Sequence, residues 1–209
     1  MPRSIRVRWW PAPGSRRSSA GVSEIHHRMA GPPWSNRAMI VRSEEPADHG
    51  RIRTVHAVSF PTLTEARLVD ALRAAGGLWI SLVAEEQREI VGHIAFSPVN
   101  VLGTTEGVGL APVAVLPPFR RRGIAGKLIR AGLAACGNFN HGFVVVLGEP
   151  SYYRRFGFLP ASNWGLRDQY GGGDAFQALE LQPAAIPAAG GVVHYAPEFD
   201  AVGGEATGG

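Results

Sequence analysis

The chain has 209 residues, 45% of them hydrophobic and 18% charged, which is enough apolar material for one folded domain with a sizeable core. The formal charge of +4 is uneven: residues 1–38 carry seven arginines and one acid, while the rest carries 14 basic and 16 acidic side chains, a body too near neutral to favour a nucleic-acid partner. The single cysteine, Cys136, excludes an intramolecular disulfide framework and a cysteine-cluster metal site.

Residues 1–38 show neither helical nor strand periodicity and are rich in Arg, Pro, Gly and Ser. They predict a disordered basic arm, or translated upstream sequence whose natural start is Met39. The arm lacks the apolar region of a secretory signal, and no later stretch reaches the roughly 18 apolar residues of a membrane span. We therefore expect a cytoplasmic protein without a membrane partner.

An ordered domain is predicted over residues 39–182, beginning with a short strand at 39–42. Helix signals follow at Pro46 and again at residues 62–65, and Gly76-Gly77 is typical of the end of the second helix. Further along, β-rich and helical patterns alternate. The predicted strands are 78–85, 89–98, 108–116, 143–147 and 176–181, and the later helices are 122–136 and 151–156.

This order predicts the α/β class in its mixed form, with helices packed on a mixed sheet. Three strands in a row, joined by short connections, favour antiparallel pairing, and strand–helix units follow them. The Gly-, Ala- and Pro-rich tail, residues 183–209, is expected to be irregular.

The strongest local signal is a strand that ends at Pro117-Pro118, passes through Arg120-Arg121-Arg122 and enters a helix at Gly123. The first turn of a helix has unpaired N–H groups and the positive end of the dipole, so it binds anions when no bulky side chain blocks the approach. Gly123, Ala125 and Gly126 provide that lack of bulk. The spacing matches neither a phosphate-binding P-loop nor a Gly-x-Gly-x-x-Gly dinucleotide fingerprint.

The turn resembles motif A of the GNAT superfamily of acyl-CoA-dependent N-acetyltransferases, Gln/Arg-x-x-Gly-x-Gly/Ala, beginning at Arg120. Three other segments resemble the superfamily in the same order along the chain, and together the four are most similar to its YhbS-like subgroup. The segments are VGHIAFSPV (91–99), GLAPVAVLP (109–117), RRRGIAGKLI (120–129) and LGEPSYYRRFGF (147–158).

The resemblance implies a mostly antiparallel mixed sheet whose fourth and fifth strands splay apart, with helices on both faces. It implies acetyl-CoA as co-substrate, with no metal, and direct transfer of the acetyl group to an amine. The backbone of Val113 and Val115 would bind the pantetheine arm, and an N–H in that strand would stabilise the oxyanion. The pyrophosphate would lie against the turn and helix start formed by Arg120, Arg121, Arg122, Gly123, Ile124, Ala125 and Gly126.

Acid and base roles follow from the same resemblance. Many members have a Tyr four residues before the Gly of the Gly-Phe pair as the general acid, which is Tyr153 here. The general base is harder to place: Glu149 is the first candidate, and Glu85 and Glu106 are others. Glu149 also precedes a predicted helix, where a carboxylate serves as a cap. Tyr153 could instead be a packing residue, with Tyr152 as the polar one.

Three classes of function stay open from sequence. The first is the N-acetyltransferase, acting on an amine whose identity the sequence does not reveal, as a monomer or homodimer. The second is a catalytically silent CoA-binding regulatory module, and the third is a nucleic-acid binder that uses the arm and the Arg turn. Cys136 shares a helical stripe with apolar residues and is expected to be a buried thiol, and the scattered histidines predict no metal site.

Overall fold

The computed structural model of the protein describes residues 39–203, and the predictions for 1–38 and 204–209 lie outside this range. Within it, five α-helices and nine strands form. The helices are α1 (His49–Ser59), α2 (Thr64–Ala74), α3 (Ile124–Asn138), α4 (Pro150–Tyr153) and α5 (Glu198–Gly203). The strands are β1 (Ile40–Ser43), β2 (Ile80–Glu86), β3 (Glu89–Val101), β4 (Thr104–Val115), β5 (Phe143–Leu147), β6 (Leu159–Pro160), β7 (Leu166–Asp168), β8 (Phe176–Glu180) and β9 (Gly191–Tyr195).

The strands form one sheet in the order β1-β2-β3-β4-β5-β8-β6, to which β9 adds by pairing with β3 and β7. The β4–β5 and β7–β9 pairs are parallel, and the other pairs are antiparallel. The prediction of a mixed, mostly antiparallel sheet is therefore confirmed.

Helices cover both faces of the sheet, as predicted. Alternation along β2 shows the division: Leu82 and Ala84 belong to the core under α3, whereas Val83 packs with Ile52 and Val55 of α1. No helix among the described residues combines the length and hydrophobicity that crossing a bilayer requires.

The fourth and fifth strands separate along their length. They pair in parallel only as far as Gly109 and Val145, and from there to Val115 the edge of β4 that faced β5 has no paired strand. On its other edge β4 stays paired with β3, but the register slips by one residue, since Leu110 faces Phe96 and Val113 faces Ile94. A bulge at Ala111-Pro112 therefore lies where the two strands diverge. The predicted splay is confirmed.

The expectation of an irregular tail from residue 183 is wrong for residues 191–203. Strand β9 pairs with the far end of β3, where Val99 faces Tyr195, and Phe199 of α5 packs on Leu68 and Leu72 of α2. The composition of this segment is typical of loops, but pairing with a distant strand imposes extended structure that local composition does not encode.

Candidate active site

A cavity of about 730 Å³ occupies the gap between β4 and β5. The N-terminal turn of α3 borders it on one side, and α4 with the residues before it borders it on another. At its far end the wall is aromatic. Its lining includes Ser59, Phe60, Ala111, Val113, Ala114, Val115, Arg120, Arg121, Gly123, Ile124, Ala125, Gly126, Gly148, Glu149, Tyr152, Tyr153, Tyr170, Tyr195 and Phe199.

The turn before α3 brings backbone N–H groups to this cavity. Arg121 and Gly123 have positive φ values, 61° and 78°, and the helix begins directly after them. The N–H of Lys127 is the first that donates to a helical carbonyl, Gly123 O at 3.1 Å. The N–H groups of Ile124, Ala125 and Gly126 therefore have no helical acceptor, and such amides are able to bind an anion.

The glycine at position 123 has a conformational reason beside the predicted lack of bulk. No protein atom would lie within 4 Å of a Cβ atom there, but φ is +78°, a backbone conformation that residues with a Cβ adopt only with strain. Gly126 is more confined, since a Cβ would lie 3.3 Å from the Arg130 guanidinium.

The three arginines of the turn have different surroundings. The Arg120 side chain binds backbone carbonyls of the protein: its Nε donates to Val115 O at 3.1 Å, and an Nη donates to Ser59 O at 3.0 Å. Arg122 lies outside the cavity lining, where it donates to Glu86 at 2.7 Å and stacks 5.3 Å above the Phe119 ring. Arg121 lines the cavity and is exposed. Of the three arginines, Arg120 and Arg121 line the cavity and Arg122 does not.

The backbone of β4 offers hydrogen-bonding groups to the gap. The N–H of Leu116 donates to Val91 O in β3 at 2.9 Å, so Leu116 directs its N–H away from the cavity. By the alternation of a strand, Val115 and Val113 direct their N–H and C=O groups to the opposite side, where β5 has diverged. The carbonyl of Val115 already accepts from Ser59 Oγ at 3.2 Å and from Arg120.

Tyr153 and Tyr152 differ in burial. Tyr153 is only 7% exposed, and its ring packs against Phe158 in an edge-to-face arrangement. Burial raises the pKa of its phenol above the usual value of 10, so the hydroxyl is protonated at neutral pH. Tyr152 is half-buried, with the Arg155 guanidinium 4.4 Å above its ring. Both tyrosines line the cavity, and the ring of Tyr153 lies directly over Gly148.

The candidate bases are placed differently. Glu149 is exposed at the cavity wall and caps α4, accepting from Ser151 N at 3.3 Å and Ser151 Oγ at 2.9 Å. Glu85 is bound by Arg42 at 2.9 Å and is absent from the cavity lining. The side chain of Glu106 is outside the described atoms. Glu149 alone of the three has both a described side chain and a place at the cavity.

Cys136 is fully buried, as expected, and burial raises the pKa of its thiol to about 12, which makes it a poor nucleophile.

Two histidines that look isolated in sequence form a buried pair instead: His56 Nε2 lies 2.8 Å from His93 Nδ1. His93 Nε2 also lies 2.8 Å from Ser81 Oγ, whose hydroxyl donates to Glu44. Burial lowers the pKa of both imidazoles, so they are neutral at pH 7.

Comparison with known proteins finds relatives of this chain in both sequence and structure. Residues 41–158 match the Acetyltransferase (GNAT) family. The chain is 38% identical over 165 residues to the Uncharacterized N-acetyltransferase YhbS of Escherichia coli (strain K12), covering 78% of this chain and 99% of the relative. The crystal structure of Escherichia coli YhbS in complex with CoA is similar with a TM-score of 0.76 at 37% identity, over 79% of this chain and 94% of that one. A GNAT family acetyltransferase from Brucella melitensis in complex with acetyl-CoA gives 0.68 at 40% identity, over 79% and 100%.

Proposed function

We propose that this chain, which belongs to the Acetyltransferase (GNAT) family, transfers an acetyl group from acetyl-CoA directly to the nitrogen of an amine. One observation carries the proposal: the gap between β4 and β5 leads without a break from unpaired strand backbone to the unpaired amides of the α3 turn. The relatives with bound CoA and acetyl-CoA support it, since they match over 94% and 100% of their length.

The co-substrate would be held mainly by backbone groups. The N–H groups of residues 121–126, with the Arg121 side chain nearby, face the pyrophosphate, because an anion is most stable at the positive end of a helix. Val113 and Val115 supply strand-like hydrogen bonds to the pantetheine amides, with the Val115 carbonyl already shared with Ser59 and Arg120.

The N–H of Val113 is our candidate for the oxyanion site. The residue before it, Pro112, has no N–H, so Val113 has the first N–H after the bulge that is directed to the gap. A fixed donor aimed at the developing oxyanion is typically worth about 10²–10³ in rate. Val113 therefore fixes where the thioester carbonyl lies in the cavity.

The chemical step is a direct displacement. The neutral amine attacks the thioester carbon, the C–N bond forms, and the C–S bond breaks as the tetrahedral intermediate collapses. The departing thiolate takes the proton of the Tyr153 hydroxyl, and the nitrogen loses one proton, for which Glu149, through a water molecule, is the proposed acceptor. The phenolate that this leaves on Tyr153 recovers a proton from solvent, and Glu149 releases the proton that it accepted, so the net reaction converts the amine and acetyl-CoA into the amide and CoA.

A steady-state assay of CoA release against a panel of primary amines tests this function. We expect CoA release that depends on both acetyl-CoA and an amine, with stoichiometric N-acetylated product detected by mass spectrometry. Tight binding of acetyl-CoA without transfer to any amine would support the regulatory module instead. Cytoplasmic location, a monomeric or homodimeric state and the absence of a nucleic-acid partner stay predictions from the sequence.

A further inference from the structure

A chain of hydrogen-bonded side chains lies under α1, beside the cavity but outside its lining. His56 of α1 and His93 of β3 are fully buried, and His56 Nε2 lies 2.8 Å from His93 Nδ1. His93 Nε2 lies 2.8 Å from the Ser81 hydroxyl of β2, which donates to Glu44. Arg73 of α2 binds Glu44 at 2.8 and 2.9 Å. The chain therefore joins both helices of this face to the sheet.

The direction of these hydrogen bonds follows from the charge on Glu44. Burial raises the pKa of Glu44, but hydrogen bonds, first that from Arg73, hold it well below the usual range, so the carboxylate is ionised. An ionised carboxylate only accepts, so the Ser81 proton points to Glu44, and the Ser81 oxygen accepts from His93 Nε2–H. His93 Nδ1 then has no proton and accepts from His56 Nε2–H. One proton lies between the two facing nitrogens, and a second proton there would remove the bond.

The buried pair has no place for an additional proton. His56 Nδ1 is buried without a hydrogen-bond partner among residues 39–203, so a proton there would be an unpaired donor on a buried cation. Burial lowers the pKa of both imidazoles, and the charge of Arg73 acts in the same direction, with Glu44 opposing it at His93. Further titratable groups near Glu44 and Arg73 are exposed or paired: His49, Asp48 and Asp70. Proton uptake is therefore favoured only when α1 moves away from the sheet.

The same end of α1 forms part of the cavity wall. The Phe60 ring lines the cavity and is stacked with the His56 ring, with centroids 6.0 Å apart and planes 8° apart. Ser59, also in the lining, donates from its hydroxyl to Val115 O at 3.2 Å, and its carbonyl accepts from Arg120 at 3.0 Å. Movement of α1 away from the sheet would therefore remove part of the wall and two contacts beside the turn before α3.

We propose that the His56–His93 pair is an acid-sensitive latch, which holds α1 on the sheet and completes the cavity wall only while both imidazoles are neutral. Proton uptake releases α1 and weakens the binding of acetyl-CoA. The link to binding rests on the acetyl-CoA site proposed above, whereas the release of α1 by acid does not. The latch makes the cavity sensitive to pH through residues that do not touch the ligand.

Native-state hydrogen exchange tests the release of α1 directly, because it measures the opening equilibrium even where the open form is rare. The amides of residues 53–59 in α1 should be less protected than those of Leu128 and Ile129 in α3, since α1 opens without global unfolding. Between pH 7.5 and 5.5, after correction for the intrinsic rate of exchange, the protection of α1 should fall up to about tenfold for each histidine, or about 100-fold for both. Acetyl-CoA at about 100 times its dissociation constant should slow exchange in α1 at least about tenfold at pH 5.5.

His56→Gln keeps an N–H donor for His93 Nδ1 but does not titrate, so the fall in α1 protection should shrink to at most about tenfold. His194→Gln, which removes an exposed histidine of β9, is the control and should keep the wild-type fall.

Four results would overturn the latch, and the first two need no variant. They are α1 protection that does not change with pH, α1 and α3 amides that exchange through the same opening, an undiminished fall in His56→Gln, and α1 exchange that bound acetyl-CoA does not slow. Absence of acetyl-CoA binding at pH 7.5 would instead overturn the proposed function.

Discussion

The hydroxyl of Tyr153 is the most informative atom to remove. Its ring is held by Phe158, Tyr152 and the backbone of Gly148, and the described residues give the hydroxyl no hydrogen-bond partner. Tyr153→Phe therefore keeps the packing and leaves no donor or acceptor stranded. We expect the free energy of unfolding to change by less than about 1 kcal/mol.

The effect on catalysis should be much larger. A general acid in position typically contributes about 10²–10⁴ in rate, which is about 3–5 kcal/mol in the activation free energy. Burial keeps the Tyr153 phenol protonated through the neutral range, so the whole population of wild-type enzyme has the proton to give. We therefore expect kcat to fall at least about 100-fold in Tyr153→Phe.

The assay is steady-state CoA release, with acetyl-CoA affinity measured separately by calorimetry. A loss confined to the transition state lowers kcat and kcat/KM together and leaves the affinity for acetyl-CoA unchanged. Tyr152→Phe is the matched control, since Tyr152 lines the same cavity on the same short helix. It should stay within a few-fold of wild type.

Two outcomes would refute the reasoning. If Tyr152→Phe is the damaging change and Tyr153→Phe is silent, the acid is one residue earlier on α4. If neither variant loses activity, the thiolate departs without a proton from this helix.

Three further predictions concern the surroundings of the site. In Gly148→Ala the new methyl group would lie 2.3 Å from the Tyr153 ring and would displace it. We expect kcat to fall, with little change in the acetyl-CoA affinity measured by calorimetry. An unchanged kcat would mean that the position of the ring is not critical. The pKa values of His56 and His93 are lowered in the folded state, so as the pH falls the unfolded state takes up protons first. The free energy of unfolding, measured with urea, should therefore fall below pH 6.5, by up to about 1.4 kcal/mol per pH unit for each histidine. A free energy of unfolding that stays constant between pH 7.5 and 5.5 would contradict this. Cys136→Ala should leave kcat largely intact, and trapping of an acetyl-thioester on Cys136 at the rate of turnover would overturn direct transfer.

Much of the fold could be predicted because its signals are local. The β-rich runs, the helix that follows Gly123 and the Gly76-Gly77 stop each depend on residues adjacent in the chain. The turn before α3 could be located for the same reason, since the amides proposed to bind the pyrophosphate come from six consecutive residues. The resemblance added the splay of β4 and β5, which local patterns do not indicate.

What the sequence did not reveal depends on contacts between distant segments. Strand β9 forms because Tyr195 pairs opposite Val99, almost a hundred residues earlier. The His56–His93 pair joins a helix to a strand, so neither histidine shows a partner in sequence.

Calorimetric titration of acetyl-CoA into the wild type, Gly123→Glu and Gly76→Glu tests the central claim most directly. Gly76 is the matched control, because it also has positive φ, +71° against +78°, and open space around it, but it lies outside the cavity lining. We expect the wild type and Gly76→Glu to bind with similar affinity and Gly123→Glu to show no measurable binding, because a carboxylate then faces the pyrophosphate. Undiminished binding by Gly123→Glu would contradict the assignment of the α3 turn as the pyrophosphate site.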